Sequence, residues 1–434
     1  VQTKEADDTG VGSYFIANYP PFSFWKPSGL EAVDEALDSA GKDVPLGLYL
    51  HLPFCRKRCK FCYFRVYTDK NSREVEAYLR ALSGEVKLLS ERKALARPLE
   101  FVYFGGGTPS FLSPAQLETL VEGLTRSLSW SSAREVTFEC EPGTLSRTKL
   151  KVLAGIGVSR LSLGIENFDD AVLEENGRAH LSEEIYRAWE WIQEVGFPSV
   201  NVDLIAGMVG ETDEKWDRCL AKTLELLPDS VTIYQMELPF NTVYSKELIG
   251  GDGTSPVASW SQKREWVRRA YERFHAAGYH VSSGYTLVRD PERTKFIYRD
   301  ALWRGADMVG TGVASFSHVA GIHYQNHDRF EDYLEAVSAG KLPLSRALRA
   351  SPRERLIREL ILQMKLGRLD ASYFRQKFGA SVLDEFEEPF KKLREQGFLD
   401  WKQDRIELTT EGLLRVDSLL PGFFLPEHRN ARYT

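Results

Sequence analysis

The chain has 434 residues, 43% hydrophobic and 27% charged, which excludes a disordered protein and exceeds one ordinary domain. A net charge of -6 argues against nucleic acid as the main partner, although Arg56-Lys57-Arg58 forms a local basic patch. No apolar run reaches the roughly 18 residues of a membrane span.

The opening VQTKEADDTG is acidic and lacks the apolar stretch of a secretory signal. Residues 1–44 read as an N-terminal arm rich in aromatics and prolines, YFIANYPPFSFWKPSG, whose prolines disfavour helix and central strand. The arm is expected to pack on the main domain, with Tyr19–Trp25 a candidate cover for an active site. From residue 45, β-like runs alternate with amphipathic helical patterns. Strands are expected at Leu46–Leu52, Leu99–Phe104, Glu135–Glu139, Ser159–Gly164, Val200–Ala206 and Ser230–Glu237. Helices are expected at Glu74–Leu89, Pro114–Ser127, Glu183–Val195 and Glu214–Leu226, with Ser113 and Thr212 as N-caps. Six such units give an α/β class and a partial (β/α)6 barrel over 45–345, with a late extension that includes YHVSSGYTLV. Residues 346–434 change to helices and one strand pair, FLDWKQDRIELT, a small helical domain resembling a winged helix.

Cys55, Cys59 and Cys62 follow the spacing C-x3-C-x2-C directly after the first strand, where such barrels place chemistry. With Cys140 and Cys219 isolated, the five cysteines make no paired framework, so reduced thiols and a cytoplasmic location are expected. Clustered thiolates select zinc, copper(I) or iron–sulfur groups. Structural zinc wants four closed ligands, and only His51 is near enough in sequence to be the fourth. A cluster held by three cysteines keeps one iron open to a ligand. Unliganded thiols are the bland alternative.

The next segment, FVYFGGGTPSFL, has Gly106, Gly107 and Thr108 where backbone can approach a ligand without a Cβ in the way. Three acids fall at later strand ends: Glu139 in VTFECEP, Glu166 in LSLGIENF and Asp203 in VNVDLIAG. Carboxylates there can hold hydroxyl groups, and Arg178 in ENGRAH can grip a carboxylate in bidentate fashion. Each residue alone also reads as a solvated strand end or a surface arginine.

The cysteine spacing resembles the radical S-adenosylmethionine (SAM) superfamily. The stretches YLHLPFC, FGGGTPS, RLSLGIENF, VNVDLIAGM and GTGVASFS resemble its oxygen-independent coproporphyrinogen III oxidase-like branch, across Tyr49 to Ser317. The resemblance implies a 4Fe-4S cluster on the three cysteines, S-adenosylmethionine on the open iron, and a 5′-deoxyadenosyl radical. It also implies a one-electron donor such as flavodoxin or ferredoxin. By motif position, Tyr49, Gly106 and Glu139 would serve the cluster-bound molecule. Phe61, Gly107, Thr108, Glu166, Arg178 and Asp203 would lie near a second one, and Phe316 in a loop that approaches both. Glu166 and Asp203 are the expected catalytic carboxylates. The chain departs from the branch's decarboxylases at Phe64, where they usually carry a further cysteine, and at Glu166, where they usually carry glutamine. The branch also includes haem chaperones, for which His323 and His327 are the candidates, and class C methylases and cyclopropanases. Methylation or cyclopropanation of an unsaturated small molecule is the expected activity, with tetrapyrrole decarboxylation or ring chemistry the alternative.

Overall fold

Alternation of apolar strand and amphipathic helix builds the expected parallel sheet. The computed structural model describes residues 7–12, 15–39, 44–251, 255–429 and 431; parts of the expected arm (1–6, 13–14, 40–43) lie outside the described residues. Strands β1 (Leu46–Leu52), β2 (Leu99–Gly106), β3 (Glu135–Cys140), β4 (Arg160–Glu166), β5 (Ser199–Ala206) and β6 (Ser230–Gln235) pair parallel in chain order. The extension read in YHVSSGYTLV is β7 (His280–Val281) and β8 (Thr286–Val288), antiparallel beyond β6. On the other side, β9 (Asp307–Thr311) adds a seventh parallel strand against β1. Strands β10 (Phe316–Val319), β11 (Ile322–Asn326) and β12 (Leu344–Arg349) follow antiparallel, so the sheet stays open between edges β7 and β12.

Successive strand residues face opposite sides, and the two sides of this sheet differ sharply. Leu46, Leu48, Leu50 and Leu52 of β1, Leu161, Leu163 and Ile165 of β4, and Val200, Val202 and Leu204 of β5 are all buried in the core beneath the helices. The alternate positions are polar: Glu135, Thr137 and Glu139, then Arg160 and Ser162, then Asn201 and Asp203, then Ser230 and Thr232. They satisfy one another. Asn201 Nδ2 donates to Ser162 Oγ (2.9 Å), while Ser230 Oγ and Thr232 Oγ1 donate to Asn201 Oδ1 (2.8 and 3.1 Å).

The helices are capped as their sequences require. Ser113 and Gln116 form a capping box before Pro114–Thr125, and Thr212 accepts from the Lys215 N–H before Asp213–Leu226. Helix Ser72–Ser90 carries one buried acid, Glu85, which accepts from Gly312 N–H (2.8 Å), Asn326 Nδ2 (2.6 Å) and Tyr333 OH (2.7 Å). That carboxylate ties the helix after β1 to the turn after β9.

The tail has its own core, including Leu360, Ile361, Phe374, Phe390, Ile406 and Phe423. Its expected strand pair is β14 (Leu399–Lys402) with β15 (Arg405–Leu408), and β13 (Arg368–Asp370) adds a third strand on β15. The stretch VLDEFEEPFKKLREQG forms two helices, Val382–Glu385 and Glu387–Glu395, broken at Phe386. Pro389 explains the break, because its ring would collide with the carbonyl of Glu385 in a continuous helix. In the arm, a helix forms at Glu31–Asp38, beyond the last proline, and buries Val33, Ala36 and Leu37. Tyr19 and Trp25 are buried, and Lys26 bridges to Ala347 of β12.

Glu85→Ala should lower the unfolding free energy by roughly 2–4 kcal/mol, because three buried donors lose their acceptor. Chemical denaturation checks this.

Candidate active site

The cysteine loop leaves β1 at the carboxyl end of the sheet and is pinned by backbone bonds. Cys55 N–H donates to Tyr67 O (3.1 Å), Tyr67 N–H to Pro53 O (2.7 Å), and Lys60 N–H to Asn176 O (3.1 Å). Cys55, Cys59 and Cys62 are free, half-buried thiols on one cavity of about 440 Å³. Thr108 Oγ1 donates to Cys55 Sγ (3.3 Å) and Arg178 Nη1 to Cys59 Sγ (3.2 Å). Gly107 passes so close that a Cβ there would lie 3.0 Å from Cys55 Sγ. Gly106 has φ +117°, and its Cβ would lie 2.8 Å from the His51 ring. Only glycine fits both positions. His51, the alternative zinc ligand, is buried behind Gly106 with Nδ1 3.4 Å from Tyr49 OH, and burial lowers its pKa to about 4.

Burial pushes the Cys55 thiol up to about 11 and the Cys62 thiol up to about 12. Metal ligation needs thiolates, so loading this loop releases protons. Among the described residues, no three His, Cys, Asp or Glu side chains gather around a single ion position. Cysteines of an iron–sulfur cluster instead sit on different irons of a larger body. All three sulfurs open on to the same space beside a glycine cradle, which fits that larger group.

The three carboxylates expected at strand ends are among those that line the cavity. Glu139 accepts from Tyr103 OH (2.7 Å) and Gly106 N–H (3.2 Å), and burial raises it to about 7. Asp203 accepts from Ser162 Oγ (2.8 Å) and Asn201 Nδ2 (2.9 Å), and burial raises it as well. Glu166 sits where the β4–β5 register shifts, with φ +67°, a left-handed conformation that costs a non-glycine residue about 1–3 kcal/mol. Burial raises it to about 7, against the Arg178 charge. Arg178 is not a surface arginine. Its Nη2 donates to Gly164 O (2.7 Å) and lies 3.7 Å from Glu166 Oε1, so the guanidinium is shared among a sulfur, a carbonyl and a carboxylate rather than forked on one acid.

Of the residues singled out from sequence, the three cysteines, Phe61, Gly106, Gly107, Thr108, Glu139, Glu166, Arg178 and Asp203 line the cavity. Tyr49 and Phe316 do not. Tyr49 lies behind Tyr103, ring centroids 5.7 Å apart, and Tyr103 faces the cavity in its place. Phe316 packs on Phe22 (4.3 Å) and Trp25 (5.6 Å) of the arm, away from the lining. The Tyr19–Trp25 stretch is likewise no cover: Tyr19 packs on Phe424 and His428, and Phe15 is the arm residue that reaches the cavity.

Sequence reasoning missed two groups. Glu141 holds the outer side of the cysteine loop, binding Arg56 Nη2 (3.1 Å) and His180 Nδ1 (2.8 Å); its place two residues after Glu139 was the available signal. The far wall gathers Phe15, Tyr234, Tyr285 and Asp417, which are distant in sequence and share no motif.

Residues 49–222 match the Radical SAM superfamily model, and residues 350–415 match the HemN C-terminal domain. An oxygen-independent coproporphyrinogen III oxidase of Pseudomonas aeruginosa is 27% identical over 417 residues, 92% of this chain and 90% of that one. The heme chaperone HemW of Bacillus subtilis is 27% identical over 381 residues, 87% of this chain and 99% of that one. In fold, the chain superposes on coproporphyrinogen III oxidase (HemN) from Escherichia coli with TM-score 0.82 and 24% identity, covering 94% of this chain and 96% of that one. The chain is therefore a radical SAM protein, a class that implies a 4Fe-4S cluster and S-adenosylmethionine. Within that class its residues 350–415 match the HemN C-terminal domain, and relatives of similar identity are named as oxidases and as heme chaperones.

Gly106→Ala should cost about 2 kcal/mol or more, from positive φ and the clash with His51. Gly155→Ala, with nothing within 4 Å of the added Cβ, should be neutral. Thermal and urea unfolding of the two variants check the contrast.

Proposed function

We propose that the enzyme binds two S-adenosylmethionine molecules and uses the second as the carbon source for methylation or cyclopropanation of an unsaturated small molecule. The observation that carries this is the pair of acidic stations on one cavity. Glu139, with Tyr103 and Gly106, stands at the β2–β3 end, and Glu166 and Asp203, with Arg178, stand at the β4–β5 end. When bound, the reduced cluster and its S-adenosylmethionine supply a 5′-deoxyadenosyl radical, and the second molecule supplies the one-carbon unit.

The residues then have separate tasks. Cys55, Cys59 and Cys62 hold the cluster, and the backbone of Gly106 and Gly107 admits the first cofactor's amino acid end. Glu139 holds its polar groups, with Tyr49 acting through Tyr103. Phe61, Thr108 and Arg178 flank the second molecule, Asp203 takes its hydroxyls, and Glu166 faces its cationic centre. Tyr234, Tyr285 and Phe15 exclude water at the far wall. The electron comes from a carrier such as flavodoxin or ferredoxin, and the setting is cytoplasmic; among the described residues no helix is long and apolar enough to cross a membrane.

Decarboxylation, which the name of the Pseudomonas relative suggests, is the second reading, favoured by the length of that match. Against it, the chain carries Phe64 and Glu166 where the branch's decarboxylases usually carry cysteine and glutamine. The haem-carrier reading gains nothing from His323, which is fully buried under Trp25 (5.2 Å).

Anaerobic incubation with methyl-labelled S-adenosylmethionine and unsaturated candidate substrates should give labelled product, 5′-deoxyadenosine and S-adenosylhomocysteine. Carbon dioxide without label transfer would reject methylation in favour of decarboxylation. Because Glu139 carries its charge only above about pH 7, affinity for the cationic cofactor should rise from about pH 6 to about pH 8. Glu139→Gln should weaken binding about tenfold and flatten that rise, measured by calorimetric titration.

A further inference from the structure

The floor of the cavity holds a cation that the chemistry above does not use. Ser162 and Arg160 follow Gly164 down one face of β4, and all three line the cavity. The cavity therefore runs roughly 13 Å along the strand, away from the Gly164 carbonyl that Arg178 holds. Arg160 is 2% exposed. Its Nη1 donates to Ser230 Oγ (3.1 Å) and Ser199 Oγ (3.4 Å), and its guanidinium lies 4.3 Å over the ring of Phe296, which also lines the cavity. Among the described residues Nε and Nη2 have no hydrogen-bond partner, and the side chain makes no ion pair. The carboxylates that face it are engaged elsewhere. Glu135 accepts from the Ile297 and Tyr298 N–H groups (2.9 and 3.1 Å), and Asp203 from Ser162 and Asn201. Arg299, a second cation facing Arg160, is turned to Asp300 and Ser282. Buried N–H groups are rarely left without an acceptor.

We propose that the open edge of Arg160, backed by Phe296, is a subsite for the carboxylate of the substrate, which makes that substrate an unsaturated carboxylic acid. The inference rests on the reading above that the cavity admits an unsaturated small molecule. Nε–H and one Nη2–H lie along the same edge of a guanidinium, and a carboxylate accepts from that pair in two parallel bonds. One open edge beside Glu135 and Asp203 suits a monoanion. A phosphate dianion would meet both carboxylates with a single guanidinium edge to offset them. Held at the floor, the acid has Tyr103, Phe296 and Tyr285 to lie along, and its far end points up β4 toward the cysteine loop. Binding at Arg160 then positions a carbon that Arg160 never touches, so the residue sets specificity without entering the chemistry. The carboxylate of S-adenosylmethionine has the same chemistry. The groups proposed for both cofactor molecules, however, gather at the carboxyl ends of the strands, and Arg160 is the first residue of β4.

The test uses the full-length, cluster-loaded enzyme with S-adenosylmethionine present. The probes are para-fluorobenzoate and its neutral isostere para-fluorobenzamide, each titrated by fluorine NMR. The wild type should bind the acid about tenfold more tightly than the amide. Arg160→Gln should bring the acid to the amide's Kd, while the Kd values of the amide and of S-adenosylmethionine stay within about twofold of wild type. Arg160→Lys keeps the buried charge but has no edge to offer, so it should reduce the preference to about threefold, and it decides the point if the glutamine variant does not fold. A wild type that binds acid and amide alike would overturn the proposal, as would a tenfold preference that survives in the folded variants. A variant that loses affinity for S-adenosylmethionine and keeps its affinity for the acid would give the edge to the cofactor's own carboxylate, and would overturn it too. Absence of methyl-label transfer with the acid preference intact would instead reject the methylation reading and leave the subsite standing.

Discussion

The site turns on one guanidinium. Arg178 donates to the sulfur of Cys59 on the first loop and to the carbonyl of Gly164 on β4, and it stands beside the Glu166 carboxylate. Its side chain is only 10% exposed. A buried guanidinium without anionic company is strongly unfavourable, by several kcal/mol. The nearby carboxylate is therefore a condition of the loop's position and not an addition to it. The same requirement accounts for the left-handed backbone at Glu166: the register shift on β4 turns the side chain toward Arg178, and the electrostatic gain offsets the local strain.

A parallel sheet covered on both faces is normally apolar on both. Here the leucine and valine face alone supplies the core, and the opposite face is given over to Glu139, Arg160, Ser162, Asn201 and Asp203. Such a face survives only if its polar groups bind each other. The bonds converging on Asn201 provide this, since the one amide accepts from two hydroxyls and donates to Ser162 and Asp203. The network stops short of the strand ends. There Glu139, Glu166 and Asp203 stand beside two guanidiniums, Arg160 and Arg178, so the cavity offers a guest groups of both signs.

Much of this was legible in the sequence because it is local. The Leu-x-Leu-x-Leu alternation of β1, the capping residues Ser113 and Thr212, and the three-cysteine spacing each depend on neighbours within a few residues, and each appears where expected. Short strands paired through distant partners were not legible. Strands β9 to β12 are short, with Gly310 inside β9 and Gly312 and Gly321 in the turns that follow β9 and β10, so their pairing with β1 and one another defines them. Tyr49 shows a subtler limit. Its position on β1 was clear, but the larger overlap with Tyr103 that places it behind the lining depends on the β1–β2 register.

The far wall is assembled apart from the motifs that carry the family likeness. Lys365, 1% exposed in side chain, donates to Ile16 O (2.7 Å) and pairs with Asp417 (2.7 Å), while Asp417 also accepts from Ile16 N–H (3.1 Å) and Tyr285 OH. One buried cation thus joins the arm, the tail and the strand region that carries Tyr285. Tyr285 stacks on Tyr234 at 6.3 Å and meets Phe15 edge-on at 5.5 Å. Removing Lys365 or Asp417 would leave the other charge buried without its partner, so the two hold this wall together. Each residue in it comes from a different part of the chain and none belongs to the cysteine or glycine motifs. The wall can therefore change without touching the loop that carries the three cysteines.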